Sequence, residues 1–306
     1  MRRRRIGSAG PEISVVGYGA WEAGGTDWGP NASEDDVVAA IRAALDAGID
    51  WIDTAEVYGD GVSETLVGRA VAGRRDEVTL ATKVAPRPDG TGFRPEQVRA
   101  AAEASLRRLG TDRIDLYQLH WPDDEVPVED TWGAMAALRD AGLVLAIGVS
   151  NFDRDLIERC EPIAHVDSLQ PEFSMLDRAN ADLIAWCGER GTGIVSYAPL
   201  AYGLLTGAIG RDRIGSLDDW RDRETEGVFA PDRLDHAMGV VDALRDVGER
   251  LGATPGQVAL AWNVRQPGVT AAIAGSRNPE HVRENAAAGD LELDDEAIAT
   301  IDAVLA

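Results

Sequence analysis

The stretch IDWIDTAEVYG, at residues 49–59, joins a buried strand to a loop that carries a phenol. Its first half is a short apolar run, typical of a strand buried on both faces, and the run stops at the carboxylate of Asp53. Tyr58 follows five positions later beside Gly59, so the loop can turn the phenol back toward the carboxylate. The stretch therefore predicts a strand end that brings Asp53 and Tyr58 together.

The rest of the chain repeats this alternation of β-type runs and helix-length segments, as parallel-sheet α/β folds require. Residues 2–6 and 13–16 flank a glycine turn and predict a hairpin at the start. Eight candidate strands follow, and they predict an α/β fold of the (β/α)8 TIM-barrel type, as one domain over residues 1–306. The candidate strands are Val15–Gly19, Ile49–Asp53, Val78–Lys83, Ile114–His120, Leu143–Val149, Val166–Gln170, Gly193–Tyr197 and Val269–Ile273.

Several helices carry recognisable end signals. Ser33 or Asn31 can cap the first helix, Pro95 can open a later one, and Gly110 can end it. Between the seventh and eighth strands, residues 201–233 are glycine-rich and charged, and loops of that length are usually functional or disordered. Two helices follow this loop, one more starts at Pro279, and a short one ends the chain.

A doubly wound nucleotide-binding fold is the alternative to the barrel. Its fingerprint G-x-G-x-x-G should follow the first strand. Gly17 and Gly19 are in place, but the third glycine is missing because position 22 is a glutamate. The barrel is therefore favoured, and it demands that the chemistry lies at the carboxyl ends of the strands.

The composition narrows the choice of partners. A net charge of −23 argues against a nucleic acid or an anionic membrane, and no stretch approaches the ~20 apolar residues of a membrane span. No apolar segment of a signal peptide follows the basic run Arg2–Arg5, so we expect a solvated strand there. Cys160 and Cys187 fall in helical patterns and fit a reducing, cytoplasmic location better than a disulfide framework.

Lys83 is the only lysine among 30 lysine and arginine residues. Lysine changes its pKa readily, whereas arginine does not. A lysine retained at a strand end, in a chain that uses arginine everywhere else, therefore indicates a chemical role.

Every candidate strand ends in a group that can bond or stack. Any one of these groups could simply end a strand, but that explanation is poor for all eight together. In chain order the groups are Gly19 with Trp21, Asp53, Lys83, His120, Ser150 with Asn151, Gln170, Tyr197, and Gly275 with Ser276 and Arg277.

Four side chains form one catalytic hypothesis. Tyr58 would protonate the oxygen of a carbonyl, although a free phenol, with a pKa of ~10, is too weak an acid near neutrality. The Lys83 ammonium would lower that pKa, and Asp53 would keep the lysine charged and aimed. His120 would orient the carbonyl through a hydrogen bond. Protonation is half of a reduction, and the hydride for the other half implies a nicotinamide cofactor.

An anion site is expected after the last strand. Asn278 can cap a helix that Pro279 opens, and the N-terminus of a helix attracts anions. The guanidinium of Arg277 beside it can grip a phosphate in two places. His281 would lie within a turn of that end, with Glu284 one turn further.

Seven motifs are spread over the chain: DTAEVYG (53–59), ATKV (81–84), LHWPD (119–123), GVSNF (148–152), QPEFS (170–174), YAPLAYGLLTG (197–207) and IAGSRNPEHVREN (273–285). Together they closely resemble those of the aldo-keto reductase family, in its bacterial type with a short C-terminal tail. The resemblance covers essentially the whole chain. It implies NAD(P)H-dependent reduction of aldehyde and ketone carbonyls, with a tetrad that matches Asp53, Tyr58, Lys83 and His120.

The resemblance also implies how the cofactor is held. Ser150, Asn151 and Gln170 match the positions that hold the nicotinamide carboxamide, and their donor–acceptor chemistry suits it. Tyr197 matches the aromatic side chain that stacks on the nicotinamide ring. The other matching positions are Gly19, Ala20, Trp21 and Asp53 after the first two barrel strands, Leu200, Gly203 and Leu205 in the loop over the pyrophosphate, and Gly275, Ser276, Arg277, His281, Glu284 and Asn285 toward the 2′-phosphate and the adenine.

These positions favour NADP(H) over NAD(H). One departure from the family pattern is Gly275, because many members with a strong NADP preference carry a lysine there.

The substrate pocket is expected to contain Trp21, Trp28 and Trp121 beside Tyr58 and His120. Several indoles around one carbonyl favour apolar or aromatic aldehydes and ketones. The chain ends soon after its last helix, which leaves little room for the long C-terminal loop that narrows the pocket in some relatives. We therefore expect an open, permissive site, in a protein that is a monomer or a weak homo-oligomer.

Three alternatives compete with this hypothesis. A metal-dependent hydrolase could use Asp53 and His120, but the four histidines show no ligand spacing, so no metal is expected. A non-catalytic NADP-binding subunit, acting as a sensor or partner, would keep the same residues. An NAD(P)-linked sugar or alcohol dehydrogenase would run the same machinery in reverse.

Overall fold

In the part of the chain that the computed structural model describes, eight parallel strands close into a barrel with helices packed around it. The structure describes residues 1–8, 10–25, 28–29, 32–85, 92–210, 213, 216–222, 224 and 226–306. The strands are β1 (Arg3–Arg5), β2 (Glu12–Ser14), β3 (Val16–Gly19), β4 (Trp51–Asp53), β5 (Thr79–Val84), β6 (Ile114–Leu119), β7 (Val144–Ser150), β8 (Ser168–Gln170), β9 (Gly193–Ser196) and β10 (Val269–Ala274).

The barrel strands follow one another around the ring in chain order from β3 to β10, and β10 pairs with β3 to close it. β1 and β2 pair antiparallel in a separate hairpin. The helices are α1 (Glu34–Asp46), α2 (Val62–Val71), α3 (Pro95–Leu109), α4 (Val128–Asp140), α5 (Arg154–Cys160), α6 (Ala181–Gly188), α7 (Leu234–Leu251), α8 (Pro255–Arg265), α9 (Pro279–Ala287) and α10 (Asp295–Leu305).

The predicted (β/α)8 barrel is confirmed, and the doubly wound alternative is wrong because the sheet closes on itself. Each candidate strand forms within two residues of its predicted bounds. Ser33 caps α1, with its hydroxyl oxygen 3.2 Å from the nitrogen of Asp36, and Gly110 ends α3 with a φ of 65°. The alternative cap, Asn31, lies outside the described residues.

Apolar side chains fill the amino-terminal half of the barrel interior. The indole of Trp51 on β4 occupies the space that a side chain at Gly17 would need. The hairpin closes this end of the barrel with Ile6 and Ile13, both fully buried. Polar side chains are thereby left to the carboxyl-terminal end. The other apolar members of this inner core are Ala81, Leu116, Ala146, Val195, Ala271 and Ile273.

The basic run at the start fastens the hairpin to the barrel, so the expectation of a solvated strand is only partly right. Arg4 Nη1 donates to the carbonyl oxygens of Val264, at 2.6 Å, and Val269, at 2.7 Å. Arg3 Nη1 pairs with Asp50 Oδ2 at 2.6 Å. Carbonyl oxygens in the last turn of a helix have no hydrogen-bond donor within the helix. Arg4 supplies such a donor to the carbonyl oxygen of Val264, at the end of α8.

The long connection after β9 is a packed segment within its described part. It contains short 3₁₀ turns at residues 201–206, 220–222 and 227–229. Val228 and Phe229 are buried in the outer core between the strands and the helices. Trp220 and Tyr202 contact Trp21 and Glu172, which follow β3 and β8, so this connection returns to the carboxyl-terminal end of the barrel.

Cys160 and Cys187 are buried and unpaired, in α5 and α6. Burial raises the pKa of each thiol to about 12, so neither is a thiolate near neutral pH. None of the helices that the structure describes is long and apolar enough to cross a membrane.

Candidate active site

An ion pair between neighbouring strands lies at the carboxyl-terminal end of the barrel. Nζ of Lys83, on β5, lies 2.5 Å from Oδ2 of Asp53, at the end of β4. Nζ also donates to the carbonyl oxygen of Thr54 at 2.9 Å. Lys83 and Asp53 are buried, with 0% and 3% of their surface exposed. Burial lowers the pKa of Lys83 while the charge of Asp53 opposes that shift, so each group stabilises the charge of the other.

Tyr58 is carried by a loop whose main chain touches the turn that follows β3. A Cβ on Gly24 would lie 2.7 Å from the carbonyl carbon of Tyr58 and 2.8 Å from the nitrogen of Gly59. Gly59 has a φ of 61°, in the left-handed region that favours glycine. Ser63 donates to the Ala20 carbonyl oxygen at 2.7 Å and joins the same two segments. The two glycines therefore let the loop that carries Tyr58 lie directly against the turn after β3.

The structure brings Tyr58 to the ion pair, but the pKa of the phenol moves in the direction opposite to our expectation. Nζ of Lys83 lies 5.2 Å from the centroid of the Tyr58 ring, and its hydrogen bonds go to Asp53 and Thr54. Desolvation and the charge of Asp53 raise the pKa of Tyr58 well above its usual value. The expected lowering is wrong here because burial, joined by the negative charge of Asp53, disfavours the phenolate. The phenol consequently keeps its proton at neutral pH.

His120 follows β6 and lies beside the phenol as a neutral imidazole. Its ring centroid lies 5.6 Å from that of Tyr58, and the two planes are nearly perpendicular. Trp121 stacks on its face at 3.6 Å. Burial, helped by the charge of Lys83, lowers the pKa of His120 to about 2. Its Nδ1 is buried without a hydrogen-bond partner among the described residues, so the imidazole can offer a hydrogen bond but no acidic proton.

Ser150, Asn151 and Gln170 lie together at the ends of β7 and β8. The Ser150 hydroxyl donates to the Gln170 carbonyl oxygen at 2.9 Å. Asn151 Nδ2 donates to Ser150 Oγ and to the His120 carbonyl oxygen, both at 3.1 Å. Gln170 Nε2 donates to Asp53 Oδ1 at 2.9 Å. Of the side chains expected to hold a carboxamide, Gln170 therefore contacts the ion pair directly, and Ser150 and Asn151 are linked to Gln170 through hydrogen bonds.

Tyr197, just after β9, is anchored by its hydroxyl group. It donates to Asn151 Oδ1 at 2.9 Å and to Glu172 Oε2 at 3.4 Å. Oε1 of the same carboxylate accepts from the Tyr202 hydroxyl at 2.9 Å. Glu172 thus joins the predicted stacking aromatic to the connection after β9, and the sequence analysis missed it. The available signal was its place in QPEFS, two positions beyond Gln170.

The connection after β9 turns sharply at the positions expected to cover a pyrophosphate. Tyr202 and Gly203 have φ values of 54° and 99°, and a left-handed tyrosine is costly unless its surroundings hold it. Arg221 Nη1 donates to the Tyr202 carbonyl oxygen at 2.9 Å. The carbonyl oxygen of Leu200 accepts from the nitrogens of Gly203, at 3.0 Å, and Leu205, at 3.1 Å. The turn is therefore fixed from both sides.

The segment after β10 lies against the first barrel strand. A Cβ on Gly275 would overlap the carbonyl oxygen of Gly19, so glycine is required at 275. The Ser276 carbonyl oxygen accepts from the Tyr18 hydroxyl at 3.0 Å. Asn278 caps α9 as predicted, with Oδ1 accepting from a nitrogen of the first turn at 2.9 Å.

The remaining positions of the expected adenosine site surround the start of α9. His281 Nδ1 lies 3.5 Å from Ser276 Oγ. Glu284 accepts from Thr254 Oγ1, at the start of α8, at 2.6 Å. Asn285 is buried, with 8% of its surface exposed. His281 thus lies at the start of α9, whereas Glu284 joins α9 to α8 and Asn285 is buried toward the end of α9.

Arg277 is bonded to the turn after β3. Its Nη2 donates to the carbonyl oxygen of Trp28 at 2.5 Å, and its Nε lies 3.7 Å from Glu22 Oε2. The negative charge of Glu22 attracts the guanidinium of Arg277 toward this turn. A contact between Arg277 and a phosphate therefore stays a prediction.

Comparison with known proteins agrees with this geometry. The family model of the Aldo/keto reductase family matches residues 15–306. The chain belongs to the aldo/keto reductase family. The recognition from the sequence is thereby confirmed, and by family the protein is an NAD(P)H-dependent oxidoreductase.

Relatives match this aldo/keto reductase over nearly their full lengths. Aldo-keto reductase YhdN of Bacillus subtilis (strain 168) is 37% identical over 287 residues, which cover 91% of this chain and 86% of that protein. The structure of the glycerol dehydrogenase AKR11B4 from Gluconobacter oxydans has a TM-score of 0.88, with 32% identity, and the match covers 99% of this chain and 94% of that one. An aldo/keto reductase from Klebsiella pneumoniae, in complex with NADP and acetate, has a TM-score of 0.76, with 32% identity over 98% of this chain and 95% of that one.

An aromatic wall borders the reductase site on one side. The ring of Trp21 lies 6.3 Å from that of Tyr58, with 27° between their planes. Trp28 meets Trp21 edge-on at 4.9 Å, and Trp220 stacks on Trp21 at 6.0 Å. Trp121 lies on the other side of the site, against His120. Of the three expected indoles, Trp21 and Trp121 therefore lie against Tyr58 and His120, whereas Trp28 packs against Trp21.

Trp220 was not among the expected pocket residues. It lies in the connection after β9, and no spacing in the sequence relates it to Trp21 or Tyr58. The expectation of an open site rested on the short C-terminal end alone. It did not consider this connection, which places the indole of Trp220 6.0 Å from that of Trp21, and the open site stays a prediction.

Within the described ranges, no three His, Cys, Asp or Glu side chains gather as ligands for a metal ion. Asp53 instead accepts from Lys83 and Gln170. The geometry of the site is that of an ion pair with hydrogen-bond donors.

Proposed function

We propose that this aldo/keto reductase reduces aldehydes and ketones to alcohols, with NADP(H) as its cofactor and Tyr58 as the proton donor. The observation that carries the proposal is a buried Asp53–Lys83 pair beside a protonated phenol and a neutral imidazole. The ring centroid of Tyr58 lies 5.2 Å from Lys83 Nζ and 5.6 Å from the ring centroid of His120. Neighbouring side chains can thus give one carbonyl oxygen both a hydrogen bond and a proton.

In this proposal the side chains divide the work on the carbonyl oxygen. Tyr58 enters the reaction in its acid form, because its pKa is raised, and it donates its proton as negative charge develops on the oxygen. His120 is neutral, with a pKa lowered to about 2, so it orients the oxygen and does not compete as the acid. Lys83 stabilises the phenolate that remains.

The side chains at the ends of β7 and β8 fit a nicotinamide carboxamide. Gln170 uses Nε2 to bind Asp53, and no hydrogen bond of the described residues uses its Oε1, which leaves an acceptor for the amide group. Ser150 and Asn151 lie beside it, and Tyr197 would stack on the ring. A bound nicotinamide supplies the hydride. The NADP in the Klebsiella pneumoniae relative supports NADP(H), with NAD(H) as the weaker alternative.

The rim of the site favours apolar or aromatic carbonyl compounds. Trp21, Val57 and Trp121 are large apolar residues with 37%, 40% and 42% of their surface exposed. Exposed apolar groups around a site usually contact a ligand. A second candidate function is oxidation of polyols or other alcohols by the same residues, and the similarity to a glycerol dehydrogenase supports it.

A substrate panel tests the proposed function. NADPH oxidation is followed with aromatic aldehydes, aliphatic aldehydes and diketones, with NADH in parallel, and NADP⁺ reduction is followed with glycerol and sugars. We expect turnover of aromatic aldehydes with NADPH, at a higher kcat/KM than with NADH. Turnover of polyols alone would favour the dehydrogenase, and NADPH binding without turnover of any compound would favour a sensor or partner subunit.

A further inference from the structure

The carboxylate of Asp53 is held by three side chains. Its Oδ2 accepts from Lys83 at 2.5 Å, and its Oδ1 accepts from Gln170 Nε2 at 2.9 Å and from Gln118 Nε2 at 3.5 Å. Gln118 and Gln170 are as buried as the ion pair, with 0% and 3% of their surface exposed. Two carboxamides therefore replace the water that an exposed carboxylate would bind.

The bond from Gln170 crosses the mouth of the barrel. In the closed ring of eight strands, β4 and β8 lie four strands apart, on opposite sides. β6, which carries Gln118, lies midway between them. Alternate strands of such a barrel contribute to one layer of side chains, and here that layer contains a carboxylate and two amides. Gln170 thus holds Asp53 from the opposite side of the barrel, whereas Lys83 holds it from the neighbouring strand β5.

This bond also fixes which end of the Gln170 amide remains available. A carboxylate accepts hydrogen bonds only, so the NH₂ group of Gln170 must face Asp53. The carbonyl oxygen Oε1 is left, and no described residue donates to it. The bond is charge-assisted, and such bonds are roughly twice as strong as neutral ones.

We infer that Gln170 is a positioning residue for the Asp53–Lys83 pair, and that it connects this pair to the cofactor's carboxamide. The second part rests on the proposed function, whereas the first part rests only on contacts within the chain. Gln170 holds Asp53, Asp53 holds Lys83, and Lys83 lies beside the phenol of Tyr58. Loss of the Gln170 amide would leave one carboxylate oxygen without its best donor and free Asp53 to turn.

The single lysine of the chain makes a direct test feasible. Protein made with isotopically labelled lysine gives one set of side-chain NMR signals, and all of them belong to Lys83. The signals are compared, without cofactor, in wild type, Gln170→Met and Gln170→Asn. Methionine keeps the length of the side chain without the amide, and asparagine keeps the amide but is too short to reach Asp53. Ser150→Ala is the matched control, because Ser150 lies in the same expected carboxamide site and has no hydrogen bond to Asp53.

We expect both Gln170 variants to shift the Lys83 signals, and we expect kcat at saturating NADPH to fall about tenfold or more. Ser150→Ala should raise the KM for NADPH and leave the Lys83 signals of the cofactor-free protein in place. Signals at the wild-type position in both Gln170 variants, with only the KM for NADPH raised, would overturn the inference and leave Gln170 as a cofactor ligand. If the wild type does not turn over NADPH, the proposed function fails, yet the NMR comparison still decides whether Gln170 holds the pair.

Discussion

At the scale of single residues, the burial of one lysine sets the electrostatics of the site. Lys83 is the only lysine in the chain, it is fully buried, and it forms an ion pair with Asp53. An arginine at this position would carry five N–H donors on a planar group, whereas the site offers two acceptors, Asp53 Oδ2 and the Thr54 carbonyl oxygen. Because burial and the charge of Asp53 raise the pKa of the phenol, Tyr58 keeps its proton, and in the proposed function it enters the reaction as an acid.

The pH dependence of carbonyl reduction follows from these shifts. His120 is charged only below about pH 2, so it stays neutral between about pH 5 and 8, where an ordinary histidine titrates. Tyr58 must be protonated, and since its pKa is raised, the acid form is lost only at strongly alkaline pH. We therefore expect kcat for reduction to be flat through the neutral range. A midpoint near neutrality that disappears in His120→Asn would contradict this assignment.

The residues at the strand ends were predictable because each follows a recognisable apolar run. Their charge states were not predictable. The sequence placed Lys83 near Tyr58 and so suggested a lowered phenol pKa, but the direction of the shift depends on how deeply the phenol is buried and on its distance from Asp53. Glu172 lies beyond the strand end, and its bonds to two tyrosines depend on a turn that no local pattern announces.

At the scale of elements, the strands and helices were predicted closely and the connections were not. Apolar periodicity, caps and prolines are local signals, so they locate β3 to β10, the start of α1, both ends of α3 and the start of α9 within a few residues. The conformation of the connection after β9 depends on contacts with residues far away in the sequence, such as the contact of Trp220 with Trp21. The contact between Gly24 and Gly59 is equally non-local, although Gly59 itself was noticed beside the phenol.

The contact between these two glycines gives a prediction about the loop that carries Tyr58. A Cβ at position 24 would lie 2.7 Å from the carbonyl carbon of Tyr58, so Gly24→Ala must push that loop away from the turn after β3. A displacement of about 1 Å at a reacting group costs roughly a hundredfold in rate. We expect kcat to fall about ten- to a hundredfold, measured at saturating NADPH and aldehyde.

Gly239→Ala is the matched control for this substitution. Gly239 lies in α7, and a Cβ there would meet no atom within 4 Å. Alanine should stabilise the helix by about 0.5–1 kcal/mol in urea unfolding and leave kcat unchanged. Wild-type kcat in Gly24→Ala would show that the close contact does not position the phenol.

At the scale of the whole molecule, the barrel separates stability from chemistry. Its amino-terminal half is apolar and is closed by the hairpin, while its carboxyl-terminal end holds the buried polar side chains. The number of strands predicted the closed barrel, since eight parallel strands with their crossovers close in only a few ways. The hydrogen bonds that join Arg4 of the hairpin to the barrel were not predictable, because a run of arginines does not indicate which carbonyl oxygens will accept from it.

The most direct test of the account is the turnover of Tyr58→Phe, measured with NADPH and an aromatic aldehyde. Tyr117→Phe is the control, because it removes the hydroxyl of another tyrosine, one that is buried in the outer core on β6. Loss of a general acid typically costs about 10²–10⁴-fold in rate. We expect a loss of this size in Tyr58→Phe, with NADPH still bound, and wild-type turnover in Tyr117→Phe. Wild-type turnover in Tyr58→Phe would contradict the assignment of the phenol as the proton donor.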